Sequence, residues 1–437
     1  MNPTPSSTTP ARAGRRVVLT TLGSHGDIHP FVAVALGLRR RGHEAIVATT
    51  AHYREKVEAA GLGFRPIRAF VGEGPTLGPE LARRIMHPRR GTGFIVRDLV
   101  LPMIRASYED TLAAAEGADL LVAHPLTMAT RLVAAVRGIP WASALLAPCH
   151  FLSPHDPPII PLPRSDLLRA LGPRFNAPLF RLLKRATGSW FGPLQRLRAE
   201  LGLPPEVNPL FEGGHSPDLV LALFSGLLGA PQPDWPPQAV LTGFPFHDED
   251  DAGLDPDLAR FLDDGPPPVV FTLGTAAVHD AGRFYDESAE AARRLGVRAV
   301  LLVGRDTSNR PATLPDGVAA FDYAPFAALF PRAAALVHQG GVGTTGQAMR
   351  AGRPMVVVPH AHDQPDNADR ARRLGIARVI PRHRYAAPRV ARELADLLRD
   401  PHPAERARAI AAQVRAERGV DLACDALETL LARAAAP

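Results

Sequence analysis

The chain has 437 residues, 46% of them hydrophobic and 22% charged, which excludes a disordered or low-complexity protein and leaves length for more than one core. Its net charge of +6 is almost wholly arginine, Lys56 and Lys184 being the only lysines. That favours anionic ligands, but the arginines are dispersed and no aromatic-basic motif accompanies them, which speaks against a nucleic-acid binder. Cys149 and Cys424 are the only cysteines, too few for a disulfide framework or a cysteine metal site, and they point to a reducing compartment.

Residues 1–14, MNPTPSSTTPARAG, are rich in Pro, Ser and Thr and read as a disordered tail. The apolar run VVLTTL that follows stops at Gly23, too short for a secretory or membrane-spanning segment. The expectation is a cytoplasmic protein without a transmembrane helix. From there short apolar runs alternate with helical patterns: RVVLTTL (16–22), a helix-like 30–41, AIVATT (45–50), DLLVAH (119–124), a helix-like 126–137 and WASALL (141–146). The cadence restarts near 217 with DLVLAL and AVLTGF, then PVVFTL (268–273), AVLLVG (299–304), AALVHQ (334–339), PMVVVP (354–359) and IARVIP (376–381). Buried strands joined by helices predict an α/β fold of two doubly wound parallel-sheet domains. The boundaries are set at 15–230 and 231–417, with a final helix over 418–437 packing back on the first domain. Between the two cadences, residues 175–205 are aromatic, basic and helix-like. They read either as amphipathic helices covering the first domain or as a surface where Arg181, Lys184, Arg185, Arg196 and Arg198 meet anionic headgroups at the inner membrane face.

Each predicted domain opens a helix with a glycine turn after a strand. The first is Gly23-Ser24-His25-Gly26-Asp27, with Pro30 in the first helical turn; the second is Gly340, Gly341 and Gly343 before a helix ended by Gly352. Such turns bring backbone N–H groups and a positive helix end to an anion, which suits a diphosphate. The first lacks GxGxxG spacing and a Walker lysine, against dehydrogenase and ATPase readings. At the next strand end stands PHAHDQPDN (359–367). His360, His362 and Asp363 lack a well-spaced further ligand for zinc, whereas Asp363 as acceptor and Gln364 as donor and acceptor suit neighbouring sugar hydroxyls.

These residues resemble a family pattern. HQGGVGTTGQAMRAGRPMVVVPHAHDQPDNA is similar to the donor-binding signature of family 1 glycosyltransferases, GSHGDIHPFVAVALGLRRRGHEAIVAT to their amino-terminal opening, and VVFTLGT and FDYAPFAALFPRAAALVHQGG to motifs between. Within the family the chain resembles the bacterial branch with the rhamnosyltransferase chain of rhamnolipid synthesis and the sterol and macrolide glycosyltransferases. The resemblance implies the GT-B fold, two Rossmann-like domains facing across a cleft, and metal-independent, inverting transfer with no cofactor beyond the co-substrate, a nucleotide diphosphosugar. It implies Asp27 as catalytic base, with His25 as the competing base and a helix cap as the plainer role for Asp27. The family's plant members orient a basic His with an Asp at a later strand end; the matching position here is His124, so that dyad is not carried over intact. His338, Gly340, Gly341, Gly343, Thr344 and Thr345, with Gly274 and Thr275, match the diphosphate turn. Tyr323 and Ala324 fall at the nucleobase, Phe326 replaces a Gln there, and Gln347 stands for the ribose-binding Glu, leaving UDP against dTDP, with dTDP-rhamnose included, open. Asp363 and Gln364 match the sugar-binding pair, with Asn367 one helical turn on.

Acceptor selectivity lies in amino-terminal loops, here residues 70–94 and 149–175. Their apolar, Pro-rich character points to a hydrophobic hydroxylated acceptor, with Met86, Phe94 and Phe151 as candidate walls. The competing reading is a catalytically inert nucleotide-sugar-binding partner of a transferase. The pattern carries no signal for oligomeric state.

Overall fold

A computed structural model describes residues 14–70, 78–162, 164–248 and 253–435. Residues 1–13 of the expected tail and 71–77 of the expected acceptor loop lie outside the described residues. The chain builds two parallel sheets. The first has strands β1 (Arg16–Thr20), β2 (Glu44–Thr49), β3 (Gly63–Pro66), β4 (Leu120–Ala123), β5 (Trp141–Leu145), β6 (Leu219–Ala222) and β7 (Ala239–Leu241). Their order is β3-β2-β1-β4-β5-β6-β7. The second has β8 (Val269–Thr272), β9 (Ala299–Leu302), β10 (Val318–Phe321), β11 (Ala335–His338), β12 (Met355–Val357) and β13 (Ala377–Val379), ordered β10-β9-β8-β11-β12-β13. Both reverse direction beside their first strand, and ligands of such sheets gather at the carboxyl ends of the strands at that switch point. β7 joins the first sheet, so the first domain reaches past residue 230 to Leu241.

The interior strands are apolar on both faces because helices cover both: every residue of β4, β6, β8, β9 and β11 is buried. The last helix, Gly419–Ala435, packs on the first domain. Its Ala423, Cys424, Leu427, Leu430 and Leu431 share a core cluster with Val17, Leu19, Phe31 and Leu38. Cys424 is a core residue there.

The domains meet along a seam of specific contacts. An added Cβ at Gly343 would stand 3.9 Å from the Gly26 Cα, so the two glycine-opened helices, His25–Arg40 and Val342–Ala351, bring their amino ends together. Deeper in the seam, Arg370 is buried and paired with Asp366 at 2.7 Å and with Asp156 of the first domain. Arg169 bonds Asp369 at 2.9 Å, and the Ile159 N–H donates to Asp366 Oδ1 at 3.0 Å. The expected acceptor loop is thus clasped directly to the helix Gln364–Arg373 that follows the polar knot.

Candidate active site

The first glycine turn folds the Asp27 carboxylate back on itself. Gly23, at φ 135°, leaves room where any Cβ would collide with Asp27. The Ser24 N–H donates to Asp27 Oδ2 at 2.7 Å and the Ser24 hydroxyl to the same oxygen at 3.2 Å. The remaining oxygen, Oδ1, lies 3.5 Å from His124 Nε2, just beyond the end of β4. The Leu126 N–H donates to His124 Nδ1 at 3.2 Å, so Nε2 is the protonated nitrogen and points its hydrogen at Asp27. Burial alone would raise the Asp27 pKa, but the His124 contact and the Ser24 donors outweigh it and hold the carboxyl below the ordinary range. Asp27 and His124 thus form a carboxylate–imidazole pair with the two groups exchanged relative to the plant arrangement. His25 stacks on His29 at 5.3 Å and leans on Tyr53 at the rim of the same turn.

The second glycine turn faces the first. Gly340 sits at φ 88°, where a Cβ would stand 2.7 Å from Val357 Cγ1. His338 does not open to the cleft: it is fully buried, its Nδ1 accepts from the Gly340 N–H at 3.0 Å, and burial holds its pKa down to about 3. It is a neutral post for the turn. Thr345 Oγ1 and Gln339 Oε1, buried beside the turn, have no hydrogen-bond partner, and Gln339 Nε2 donates to Thr344 Oγ1 at 3.4 Å. Gly274 holds φ 63° against the Gln339 amide, and Thr275 next to it is exposed.

Asp363 lies at the opening of the helix Gln364–Arg373. Its Oδ2 accepts from the Val342 N–H at 3.3 Å and from Asn367 Nδ2 at 2.7 Å. Burial, against the Asn367 bond and reinforced by the Asp27 charge across the cleft, pushes its pKa up to about 7. Gln364 is buried, its Oε1 accepting from the His360 and Ala361 N–H groups at 2.9 and 3.2 Å, so its carbonyl shapes the knot. Asn367, wholly buried, ties the knot to the Gly340 carbonyl at 3.0 Å. Among the described residues no group of three or more His, Cys, Asp or Glu is placed to hold a metal ion. On the outer side Tyr323 is exposed and Ala324 buried; Gln347 and Phe326 share the wall of a cavity of about 740 Å³ that also reaches Phe246, Arg350 and Arg418.

Two of the expected acceptor walls are elsewhere. Met86 is 1% exposed and packs with Val269, Phe271 and Ala277 of the second domain, and Phe151 is stacked on Trp235 at 3.8 Å inside a core cluster. Both fill space between elements. Phe94 is buried under the Arg84 guanidinium, 4.0 Å from its ring centre. His150, which follows β5 and lies within electrostatic reach of Asp27 and His124, carries a buried Nδ1 without a partner. Sequence patterning missed it because a lone His after a strand has no distinguishing spacing.

This geometry defines a two-domain α/β architecture with two glycine-opened helix ends facing each other, and comparison with known proteins says which family it belongs to. Residues 17–136 match the family model described as glycosyltransferase family 28 N-terminal domain, and residues 288–423 the one described as erythromycin biosynthesis protein CIII-like, C-terminal domain. The chain is 37% identical over 427 residues to O-mycaminosyltylonolide 6-deoxyallosyltransferase of Streptomyces fradiae, covering 94% of this chain and 97% of that protein. It is 33% identical over 368 residues to vancomycin aglycone glucosyltransferase of Amycolatopsis orientalis, covering 83% and 84%. Among solved structures the spinosyn forosaminyltransferase SpnP (TM-score 0.70, 20% identity, 96% of this chain and 100% of that one) shares the fold. So does the glycosyltransferase VinC (TM-score 0.66, 22% identity, 96% and 100%). The chain belongs to the family 1 glycosyltransferases of GT-B fold, and is an enzyme of the hexosyltransferase class.

Proposed function

We propose that the enzyme moves a sugar, with inversion and without a metal, from a nucleotide diphosphosugar carrying UDP or dTDP to a hydroxyl of a hydrophobic acceptor. The observation that carries this is the Asp27–His124 pair, set where the two glycine-opened helix ends meet. Asp27 takes the proton of the acceptor hydroxyl, whose oxygen attacks the anomeric carbon from the face opposite the leaving group. The bond to the diphosphate breaks, and its charge is received by the amino end of Val342–Ala351 with Gly341, Gly343 and Thr344. Asp363, in its ionised form, which a pKa of about 7 leaves only partly populated at neutral pH, accepts from sugar hydroxyls, and Gln347 and Phe326 line the cavity for the nucleoside. Four features support the reading: the paired base, the buried polar atoms without a hydrogen-bond partner beside the second turn, the relatives named for sugar transfer to O-mycaminosyltylonolide and to the vancomycin aglycone, and the dTDP held by VinC. The test is Asp27→Asn with the anomeric configuration of the product read by NMR. Donor binding within about twofold and transfer lowered at least about a thousandfold are expected; retained turnover would move the base to His25, and a retained anomeric configuration would overturn inversion.

An anionic membrane surface is a further partner in this reading. Leu162, Leu167, Leu171, Phe175 and Leu182 are exposed, the last by 63%, and Arg164, Arg174, Arg181 and Arg185 stand among them without an ion-pair partner among the described residues. Lys184 is taken by Glu212 and Arg198 by Glu206 at 3.3 Å, so the surface lies further toward the amino end than the sequence pattern placed it. Leucine and phenylalanine beside unpaired arginines suit an interfacial position, with about 1 kcal/mol per arginine near anionic lipid. Flotation with phosphatidylglycerol vesicles but not with phosphatidylcholine vesicles, lost in Phe175→Ser/Leu182→Ser, is expected. Equal behaviour with both vesicles would contradict it.

A further inference from the structure

The polar knot contains a residue that the transfer chemistry above does not use. His362 adopts φ 60°, a left-handed backbone that costs histidine more than glycine, although histidine is among the residues that tolerate it best. The turn itself therefore gains nothing from a side chain at this position, and the reason for the imidazole lies in what it reaches. It crosses the seam: His362 Nδ1 is 3.0 Å from the Thr92 hydroxyl of the first domain. The ring lies over Gly91, where an added Cβ would stand 3.3 Å from His362 Cε1. Gly91 and Thr92 open the short helix Gly91–Phe94 on the acceptor side, while His362 directly precedes Asp363 on the donor side. Burial lowers the His362 pKa against the pull of Asp27, so the ring is neutral near pH 7 and one nitrogen donates while the other accepts. With Nδ1 and the Thr92 hydroxyl engaged with each other, Nε2 is the ring nitrogen that no other described side chain or backbone group bonds.

We propose that His362 is a specificity-determining positioning residue, its ring pinned to Thr92 so that the other ring nitrogen, Nε2, hydrogen-bonds a hydroxyl of the transferred sugar and sets that sugar's place relative to the acceptor hydroxyl. The assignment rests on the donor reading of Asp363. It differs from it in being an interdomain contact: the sugar is aligned only when the Thr92 side of the cleft is closed onto the knot.

The experiment compares His362→Gly, His362→Asn and Thr92→Val with the wild type. It measures melting temperature, binding of UDP and dTDP alone, and kcat and KM for two sugars on the same nucleotide. His362→Gly is expected to melt no lower than wild type, because the left-handed backbone costs glycine less. It should bind the free nucleoside diphosphate within about twofold, lose at least about tenfold in kcat, and lose most of its preference between the two sugars. Asparagine, which tolerates a left-handed backbone and keeps a donor, should recover part of the preference, and Thr92→Val should lower kcat in the same direction. Wild-type kcat and sugar preference in His362→Gly would overturn the proposal, as would losses of activity that only follow a fall in melting temperature. Failure of the wild type to bind any nucleoside diphosphate would overturn the donor reading beneath it, an outcome separable from the variants' behaviour.

Discussion

Replacing His124 with alanine should move the acid limb of catalysis, and the structure sets by how much. Asp27 must be ionised to take a proton, and three donors hold it so: the Ser24 N–H, the Ser24 hydroxyl and His124 Nε2. Against them stands burial, the largest single influence on this carboxyl. A hydrogen bond to a charged group contributes about 1.5–3 kcal/mol, and the 3.5 Å separation argues for the lower half of that range. At about 1.36 kcal/mol per pH unit, loss of His124 should raise the Asp27 pKa and carry the acid limb of the rate profile up by about one pH unit or a little more. The plateau of kcat/KM at neutral pH should survive, because the carboxyl remains ionised there, while the fall on the acid side begins about one unit higher than in wild type. His124→Gln, which restores a donor, should bring the limb part of the way back. The assay is kcat/KM from pH 4 to 9 at fixed donor, with the fold checked at each pH. An unmoved limb with a collapsed plateau would refute the reasoning, because His124 would then be taking the proton itself.

Asp363 makes an opposite prediction for stability. Its folded pKa of about 7 stands above the ordinary value of about 3.9, so the folded state binds more protons between those limits and stability falls as pH rises through them. Asp363→Asn should therefore melt higher than wild type at pH 8 and about the same at pH 4; equal shifts at both would contradict the buried carboxyl. Asp156→Asn removes one of two carboxylates from buried Arg370 and should lower stability by about 1–3 kcal/mol in denaturant titration while raising the acceptor KM; an unchanged KM would mean that the clasp is only structural. Overnight EDTA treatment should leave transfer unchanged, and a loss restored by a divalent cation would return a metal to His360 and His362.

The interior strands were legible because they are sandwiched between helices and read as unbroken apolar runs. The two strands without a sequence signal, β3 and β10, are both outermost in their sheets. In β3 only Phe64 is buried, and in β10 only Val318, so neither leaves a run to detect. Asp27, the glycine turns and the polar knot stood out by chemistry, since glycine clusters and acid–amide pairs at strand ends are uncommon. Their partnerships did not: His124 meets Asp27 only because β1 and β4 are neighbours, a fact of strand order that spacing does not carry. Met86 and Phe151 carry no such signal either, because an apolar side chain in a connecting loop looks alike whether it faces a ligand, a second domain, as Met86 does, or the core of its own, as Phe151 does. The Asp156–Arg370–Asp366 clasp had half a signal, an acid and an arginine four apart on one helix; its other half lies more than two hundred residues away.

The most direct measurement is the melting temperature of the wild type and of Gly343→Asp with UDP, dTDP, GDP and their sugar conjugates. A ligand bound only by the folded state at about a hundred times its dissociation constant adds about 2.7 kcal/mol. A clear rise with UDP or dTDP is expected, and it should be abolished by the carboxylate placed at the helix end that receives the diphosphate. No rise with any nucleotide, or one that Gly343→Asp leaves intact, would contradict the donor site described here.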